Sequence, residues 1–268
     1  MTNAMQLVHG VTGLEPSLGR LFVVIGVFDG LHLGHQYLLR ELVREAARLD
    51  ATPAVLTFDH HPDEILTGTA PPLLCDPEER LERLEGAGVG VTIVQTFDVA
   101  LRQTPYDVFV RDIADRVELA GLLMTPESAF GYERGGTPET VAALGREVGY
   151  DVVVVPPFTL DGAPVASSLI RAAIARGDLA GAARLLGRRV AVVGTVARAL
   201  RGGTELTFGM PVALPGEGTY EAIVGTEAGS LRHREAIVGG EGLRLTPAVP
   251  ALTGSRLRVE LVRAARGT

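Results

Sequence analysis

Gly26-Val27-Phe28-Asp29-Gly30-Leu31-His32-Leu33-Gly34-His35 closes the apolar run 21–27 and leads into a helical pattern over 35–49. A continuous apolar run suits a strand buried on both faces. Beyond it, Leu38, Leu39, Leu42, Val43 and Ala46 recur at helical spacing. The glycines at 26, 30 and 34 let backbone approach a ligand closely. Two histidines flank Gly34 where the helix starts, and free amides and partial positive charge at a helix N-terminus favour a phosphate. Histidines placed there can donate hydrogen bonds to a phosphoryl group as charge builds in a transition state. Two histidines three apart on a surface helix would carry no such meaning; the glycine-rich strand-to-helix turn supplies it.

Outward from this turn, strands and helices alternate. The spacing predicts a strand over 53–58, a helix over 76–86, a strand over 89–95, a helix over 105–117 and a strand over 118–124. Asp76, Pro77 and Glu79 read as N-cap, first helical residue and capping box. Thr137, Pro138 and Glu139 open a helix to about 148, and a strand follows over 151–156. Such alternation predicts a Rossmann-like parallel sheet wrapped by helices. After Pro164 come a helix from Ser167 to 177 and a short one over 178–186. From 189 onward, apolar runs (190–196, 205–208, 220–224, 235–238, 243–246, 257–262) alternate with Gly and Pro turns. That pattern predicts a small antiparallel β-barrel or sandwich. The expected modules are 1–188 and 189–268 of an α/β protein.

The composition excludes several classes. The 268 residues carry a net charge of −7, and all 25 basic residues are arginine. Without lysine there is no Schiff base and no P-loop lysine, so phosphate charge must meet arginine, histidine, backbone amides or metal. Base bias or heat adaptation accounts for the lack of lysine and for Asn3 being the only asparagine. The acidic balance argues against nucleic acid as a partner but admits an anionic small substrate. No apolar run reaches 18 residues, so no transmembrane helix is expected. The first 20 residues show no basic stretch followed by an apolar core, so no export signal is expected. The single cysteine, Cys75, fits a reducing cytoplasm. His32, His35, His60, His61 and Cys75 show no zinc-ligand spacing, and no protein-held metal is expected. Asp29 and Asp59 read equally as carboxylates that orient Mg²⁺ through water or as buried structural groups.

The HxGH turn resembles the nucleotidyltransferase superfamily of HUP-type α/β folds. The wider run 26–36 is similar to the bacterial FAD synthetase family, usually bifunctional riboflavin kinase/FMN adenylyltransferases. Leu56-Thr57-Phe58-Asp59-His60-His61-Pro62 resembles that family's second-strand segment. Val165-Ala166-Ser167-Ser168-Leu169-Ile170-Arg171 resembles the superfamily's ISSTxxR pattern, with Ala166 for the first serine and Ser168 for the threonine. The resemblance implies AMP transfer from ATP to FMN, with Mg²⁺ as the divalent cation and FAD and pyrophosphate as products. It assigns His32 and His35 to the α-phosphoryl transition state, and Ser167, Ser168 and Arg171 to the β- and γ-phosphates. Gly26, Val27, Phe28, Asp29, Gly30 and Gly34 fall on the nucleotide side. Asp59, His61, Pro62, Glu127, Phe130, Gly131 and Arg134 fall on the flavin side. Taken alone, Ser167 reads as an N-cap, Arg171 as a solvated helix residue and Phe130 as core.

Two departures bear on substrate and on module. In the segment after the fourth predicted strand, Thr125 stands for the family's glycine, Glu127 for Asp or Asn, and Ser128 for a phenylalanine. Changed polar and aromatic groups in a pocket shift ligand choice. In the C-terminal module, Pro211-Val212-Ala213-Leu214 stands where the family's kinase carries Pro-Thr-Ala-Asn. Val and Leu cannot coordinate Mg²⁺ or accept hydrogen bonds, and Glu221 and Glu241 read as surface residues. A degenerate barrel without riboflavin kinase activity is therefore expected. The alternatives are transfer to another phosphorylated acceptor and a non-catalytic nucleotide or flavin sensor.

Overall fold

Strands built almost wholly of Val, Leu, Ile and Phe form the middle of a parallel sheet, because only a strand covered on both faces can bury such a run. The computed structural model describes residues 4–200, 202–225, 231–240 and 242–265. The described chain forms two compact units.

The first unit comprises the chain up to Phe28, Gly34–Pro71 and Pro77–Pro164. Its elements are β1 (Gln6–His9), β2 (Arg20–Ile25), α1 (Leu33–Arg48), β3 (Thr52–Phe58), α2 (Asp63–Thr67), α3 (Pro77–Gly86) and β4 (Val91–Gln95). There follow α4 (Val99–Arg102), α5 (Tyr106–Ala114), β5 (Glu118–Met124), α6 (Pro138–Val148), β6 (Asp151–Val154) and a two-stranded ribbon of β7 (Thr159–Leu160) and β8 (Ala163–Pro164). Six strands pair in the order β1-β4-β3-β2-β5-β6, all parallel. Leu21, Phe22 and Val23 of β2, and Ala54, Val55 and Leu56 of β3, are fully buried. The predicted strands and helices are present within a few residues. The sequence reading gives no signal for the short helices α2 and α4, the β7–β8 ribbon or β1, a four-residue edge strand in which Val8 alone is buried, so that it carries no apolar run. At α6 the Thr137 hydroxyl accepts from Thr140 N, and Thr140 completes a capping box with it. At α3 Glu79 accepts from Arg83.

The second unit comprises Asp29–Leu33, Pro72–Asp76 and the chain from Val165 onward. It contains α7 (Ser167–Ala175), α8 (Leu179–Leu186) and the strands β9 (Val190–Leu200), β10 (Gly203–Thr207), β11 (Gly218–Gly225), β12 (Leu231–Gly239), β13 (Gly242–Thr246) and β14 (Arg256–Ala264). These strands close into an antiparallel barrel in the order β10-β13-β12-β11-β14-β9, which resolves the barrel-or-sandwich expectation. Alternate residues such as Ala222 and Val224, Ala236 and Val238, Leu243 and Leu245, and Val259 and Leu261 are buried, while closure removes open sheet edges. The helices α7 and α8 pack within this second unit. Ile170, Ala173, Ile174, Leu179, Ala182 and Leu186 bury the apolar faces of α7 and α8, and α8 lies against β9 and β14. Among the described residues no helix is long and apolar enough to cross a membrane.

Candidate functional site

In the first unit, β3 and β4 lie to one side of β2, whereas β5 and β6 lie to the other. Connections leaving β2 and β5 therefore part at their carboxyl ends, where open parallel sheets bind ligands. A cleft of about 770 Å³ lies at this place, within the size range of small-molecule sites. It brings together Gly26 and Val27 from the end of β2, His61 and Pro62 from the turn after β3, and Glu127, Phe130, Gly131 and Arg134 from the segment after β5.

The cleft is walled by Phe58, from the motif at the end of β3, and by residues that carried no motif: Phe97 and Phe109, with Leu66, Leu101 and Arg102. Phe58 and Phe97 meet edge to face at 5.4 Å, as do Phe109 and Phe130 at 6.4 Å. Phe130 is thus both a packed residue and a lining residue. Such aromatic walls suit a planar apolar ring, with charged groups left to fix its orientation. Asp59 does not line the cleft. Its carboxylate accepts from Thr96 Oγ1 at 2.7 Å and from His60 N at 2.7 Å. Burial raises the Asp59 pKa, but these hydrogen bonds outweigh it and hold the carboxyl below its ordinary value.

Arg80 fixes the end of β2. It is buried, and its guanidinium donates to the Val27 carbonyl at 3.1 Å and the Phe58 carbonyl at 2.8 Å. Thr57 Oγ1 donates to the same Val27 carbonyl at 3.0 Å. A buried guanidinium needs acceptors, and these two strand ends supply them. The sequence hides this role, because Arg80 sits in Pro77-Glu78-Glu79-Arg80-Leu81-Glu82-Arg83, which reads as a solvated helix.

The segment after β5 is tightly turned. Thr125 N donates to Ser128 Oγ at 2.9 Å, so the two substituted residues satisfy each other. Phe130 and Gly136 exchange backbone hydrogen bonds. Gly131 has φ +75, and a Cβ there would lie 2.6 Å from Tyr106 N. Glu133 and Arg134 also adopt positive φ, of 51 and 58. Gly131→Ala is therefore expected to cost about 2 kcal/mol and displace this wall of the cleft. Equilibrium unfolding that matches the wild type would show that the loop does not require glycine there.

The turn after β2 is strained as well: Phe28, Gly30 and Leu31 all have positive φ. His35 lies in the first turn of α1, its ring 5.1 Å from that of Phe28. Within the second unit, Asp29 is 3% exposed and is the centre of a cluster. Its carboxylate accepts from Leu74 N at 2.9 Å and pairs with Arg171 Nη2 at 2.6 Å. Arg171 Nε donates to the Pro72 carbonyl at 2.8 Å, and Ser167 Oγ donates to the Asp29 carbonyl at 3.1 Å. Two readings of these residues taken alone are corrected here. Ala166, not Ser167, is the extended N-cap of α7, and it provides no side-chain cap. Arg171 is not a solvated helix residue, for its side chain is only 17% exposed. Ser168 is exposed in the first turn. Gly30 is required by space, since a Cβ would lie 2.9 Å from Leu74 Cβ. His32 is buried, and its pKa falls to about 4, through burial first and then the charges of Arg188 and Arg171. It is a neutral imidazole at pH 7, able to donate one hydrogen bond without adding charge.

A second cleft, of about 780 Å³, takes in Pro211, Val212, Ala213 and Leu214 together with Arg171 and Ala175. The segment is pinned by its backbone: Leu73 N donates to the Pro211 carbonyl at 2.8 Å and Ala213 N to the Leu73 carbonyl at 2.9 Å. Glu221 pairs with Arg263, its Oε2 accepting from Nε at 2.8 Å. Glu241 lies outside the described residues. Among the described residues, no three or more of His, Cys, Asp and Glu come together as metal ligands.

A family model described as FAD synthetase matches residues 15–169. The bifunctional riboflavin kinase/FMN adenylyltransferase of Haemophilus influenzae is 32% identical over 245 residues, covering 88% of this chain and 79% of that protein. Its counterpart from Pseudomonas fluorescens is 32% identical, over 72% of this chain and 62% of its own length. That of Escherichia coli K12 is 31% identical, over 78% and 67%. Among solved structures, a protein described as a macrolide-efflux protein from Streptococcus pneumoniae superposes with a TM-score of 0.81 over 98% of this chain and 92% of its own. At 21% identity, that likeness speaks for the fold alone.

Proposed function

Because the chain belongs to the FAD synthetase family, we propose that it transfers AMP from ATP to FMN, giving FAD and pyrophosphate. A phosphate oxygen of FMN attacks the α-phosphorus of ATP. The bond from that phosphorus to the bridging oxygen breaks, and pyrophosphate leaves with the electron pair. No covalent enzyme intermediate is required, so positioning and charge stabilisation do the catalytic work.

The observation that carries this reading is the aromatic-walled cleft at the switch point, lined by Gly26 and Val27 as well as by Pro62 and Phe130. The flavin ring lies in it, with Phe58, Phe97, Phe109 and Phe130 as walls and Arg102 and Arg134 as the cations near its phosphate. His32 and His35 donate to the α-phosphoryl oxygens. Ser167, Ser168, Arg171 and the first amides of α7 receive the β- and γ-phosphates. Gly26, Phe28, Gly30 and Gly34 let backbone come close to the nucleotide. Asp59 acts at one remove, holding the turn before His61 and Pro62. Mg²⁺ enters with the ATP substrate, and no step is assigned to a protein-held ion. The catalytic module is 1–188, and the reaction belongs in the cytoplasm, where ATP is at hand and a single cysteine outside any disulfide is at home.

We further propose that 189–268 has lost riboflavin kinase activity. Val212 and Leu214 offer no ligand to MgATP, and Glu221 is engaged by Arg263. A second reading, transfer to another phosphorylated acceptor, draws support from Glu127, a carboxylate in the cleft wall. Incubation of the full chain with MgATP and FMN is expected to yield FAD and pyrophosphate, whereas riboflavin and MgATP yield no detectable FMN. Pyrophosphate release with a different acceptor but not with FMN would replace the first claim by the second reading. Tight ATP binding without turnover on any acceptor would indicate a sensor. FMN formation from riboflavin would refute the loss of the kinase.

A further inference from the structure

Arg188 lies in the segment between α8 and β9, outside every motif that singled out the turn after β2. Its Nη1 donates to the Gly30 carbonyl at 2.7 Å. That carbonyl belongs to the turn in which Gly30 and Leu31 hold φ of 81 and 37, a conformation that ordinary side chains resist. One end of the turn is fixed through Asp29, whose carboxylate holds Leu74 N and Arg171 and whose carbonyl holds Ser167. The other end carries His32. A strained turn persists only where its surroundings over-determine it, and Arg188 provides the contact on the Gly30 side.

We propose that Arg188 is a positioning residue for the phosphoryl-transfer site: its guanidinium clamps the Gly30 carbonyl and so fixes the turn that presents His32. The inference rests on the proposed adenylyl transfer for its kinetic part only. The clamp also puts a cation beside His32, alongside Arg171 from α7, while Asp29 on the same turn is committed to Arg171 and Leu74. Burial and these two cations keep the imidazole neutral. Anionic phosphates arriving at the site would oppose the arginines' field and favour a proton on His32 at the stage where charge must be stabilised.

The test uses the full chain, with R188Q and R188K compared to the wild type by steady-state FAD formation and by NMR titration of the His32 imidazole. R188Q is expected to lower kcat about tenfold or more, with KM for ATP changed by less than about threefold. It should also raise the His32 pKa from about 4 by about one unit. R188K keeps the charge and one donor, so its His32 should titrate as in the wild type and its kcat should stay within about threefold. Wild-type kcat in R188Q, or an unchanged His32 titration, would overturn the clamp. If R188Q does not fold, R188K decides: titration of its His32 at the ordinary histidine value refutes the assignment, and a wild-type titration with near-normal kcat upholds it. Absence of FAD formation by the wild type would strike the proposed reaction, while the His32 titrations would still judge the role of Arg188.

Discussion

His35→Ala and Arg171→Ala are each expected to lower the rate of FAD formation by about 10²-fold or more. The expectation follows from the kind of chemistry proposed. With no covalent intermediate and no lysine anywhere in the chain, the charge that develops on the α-phosphoryl oxygens and on departing pyrophosphate must be met by a few groups. His35 lies in the first turn of α1 with its ring against Phe28, and removing the imidazole takes away a donor without touching the sheet core. Arg171 is held by the Pro72 carbonyl and the Asp29 carboxylate, so its guanidinium is oriented before substrate arrives. Such preorganisation is what makes a cation more useful in a transition state than in the ground state. The loss should therefore fall on kcat more than on KM. Near-normal kcat in both variants would remove them from the reaction, whatever FAD the wild type makes.

Asp29→Ala is expected to destabilise the protein by about 3 kcal/mol, the usual scale for breaking a buried ion pair from one side. Asp29 is nearly inaccessible, and its carboxylate serves both the Arg171 guanidinium and the Leu74 amide. Alanine would deprive a mostly buried cation of its counter-charge and an amide of its acceptor, and neither loss is compensated by packing. Asp29→Asn keeps an acceptor and should fall between the two. Denaturant unfolding of the full chain measures both variants. A change of less than about 1 kcal/mol for Asp29→Ala would show that water or rearrangement replaces the pair. This structural effect is separable from catalysis, because stability is read without substrate.

Much of the architecture was legible because it is written in runs and periods. The apolar runs of β2, β3 and β5 announce strands buried on both faces, and the glycine-rich turn with its paired histidines singles out a candidate site. The alternating apolar residues after 189 announce antiparallel strands. What escaped were features without a period. β1 buries a single side chain, so its four residues carry no pattern. Arg80 and Arg188 look like any solvated arginine, because the carbonyls that receive them come from chain segments far away in sequence. Asp59 stands inside a motif yet points to Thr96 and His60, since adjacency in sequence does not decide which side of a turn a carboxylate takes.

By itself the sequence determined the alternating α/β order, the barrel-like tail and the family, and it singled out Gly26, His32, His35 and Arg171 as candidates and Val212 and Leu214 as aliphatic where the family's kinase carries polar residues. Only the tertiary structure decided that Phe58, Phe97, Phe109 and Phe130 converge on one cleft, that Asp29 holds Arg171, and that burial with two arginines keeps His32 neutral. The physical reason is range. Burial patterns, turn chemistry and motif spacing are local and can be read along the chain. The partners of a buried charge and the walls of a cleft are set by contacts between distant segments, and these exist only once the chain has folded.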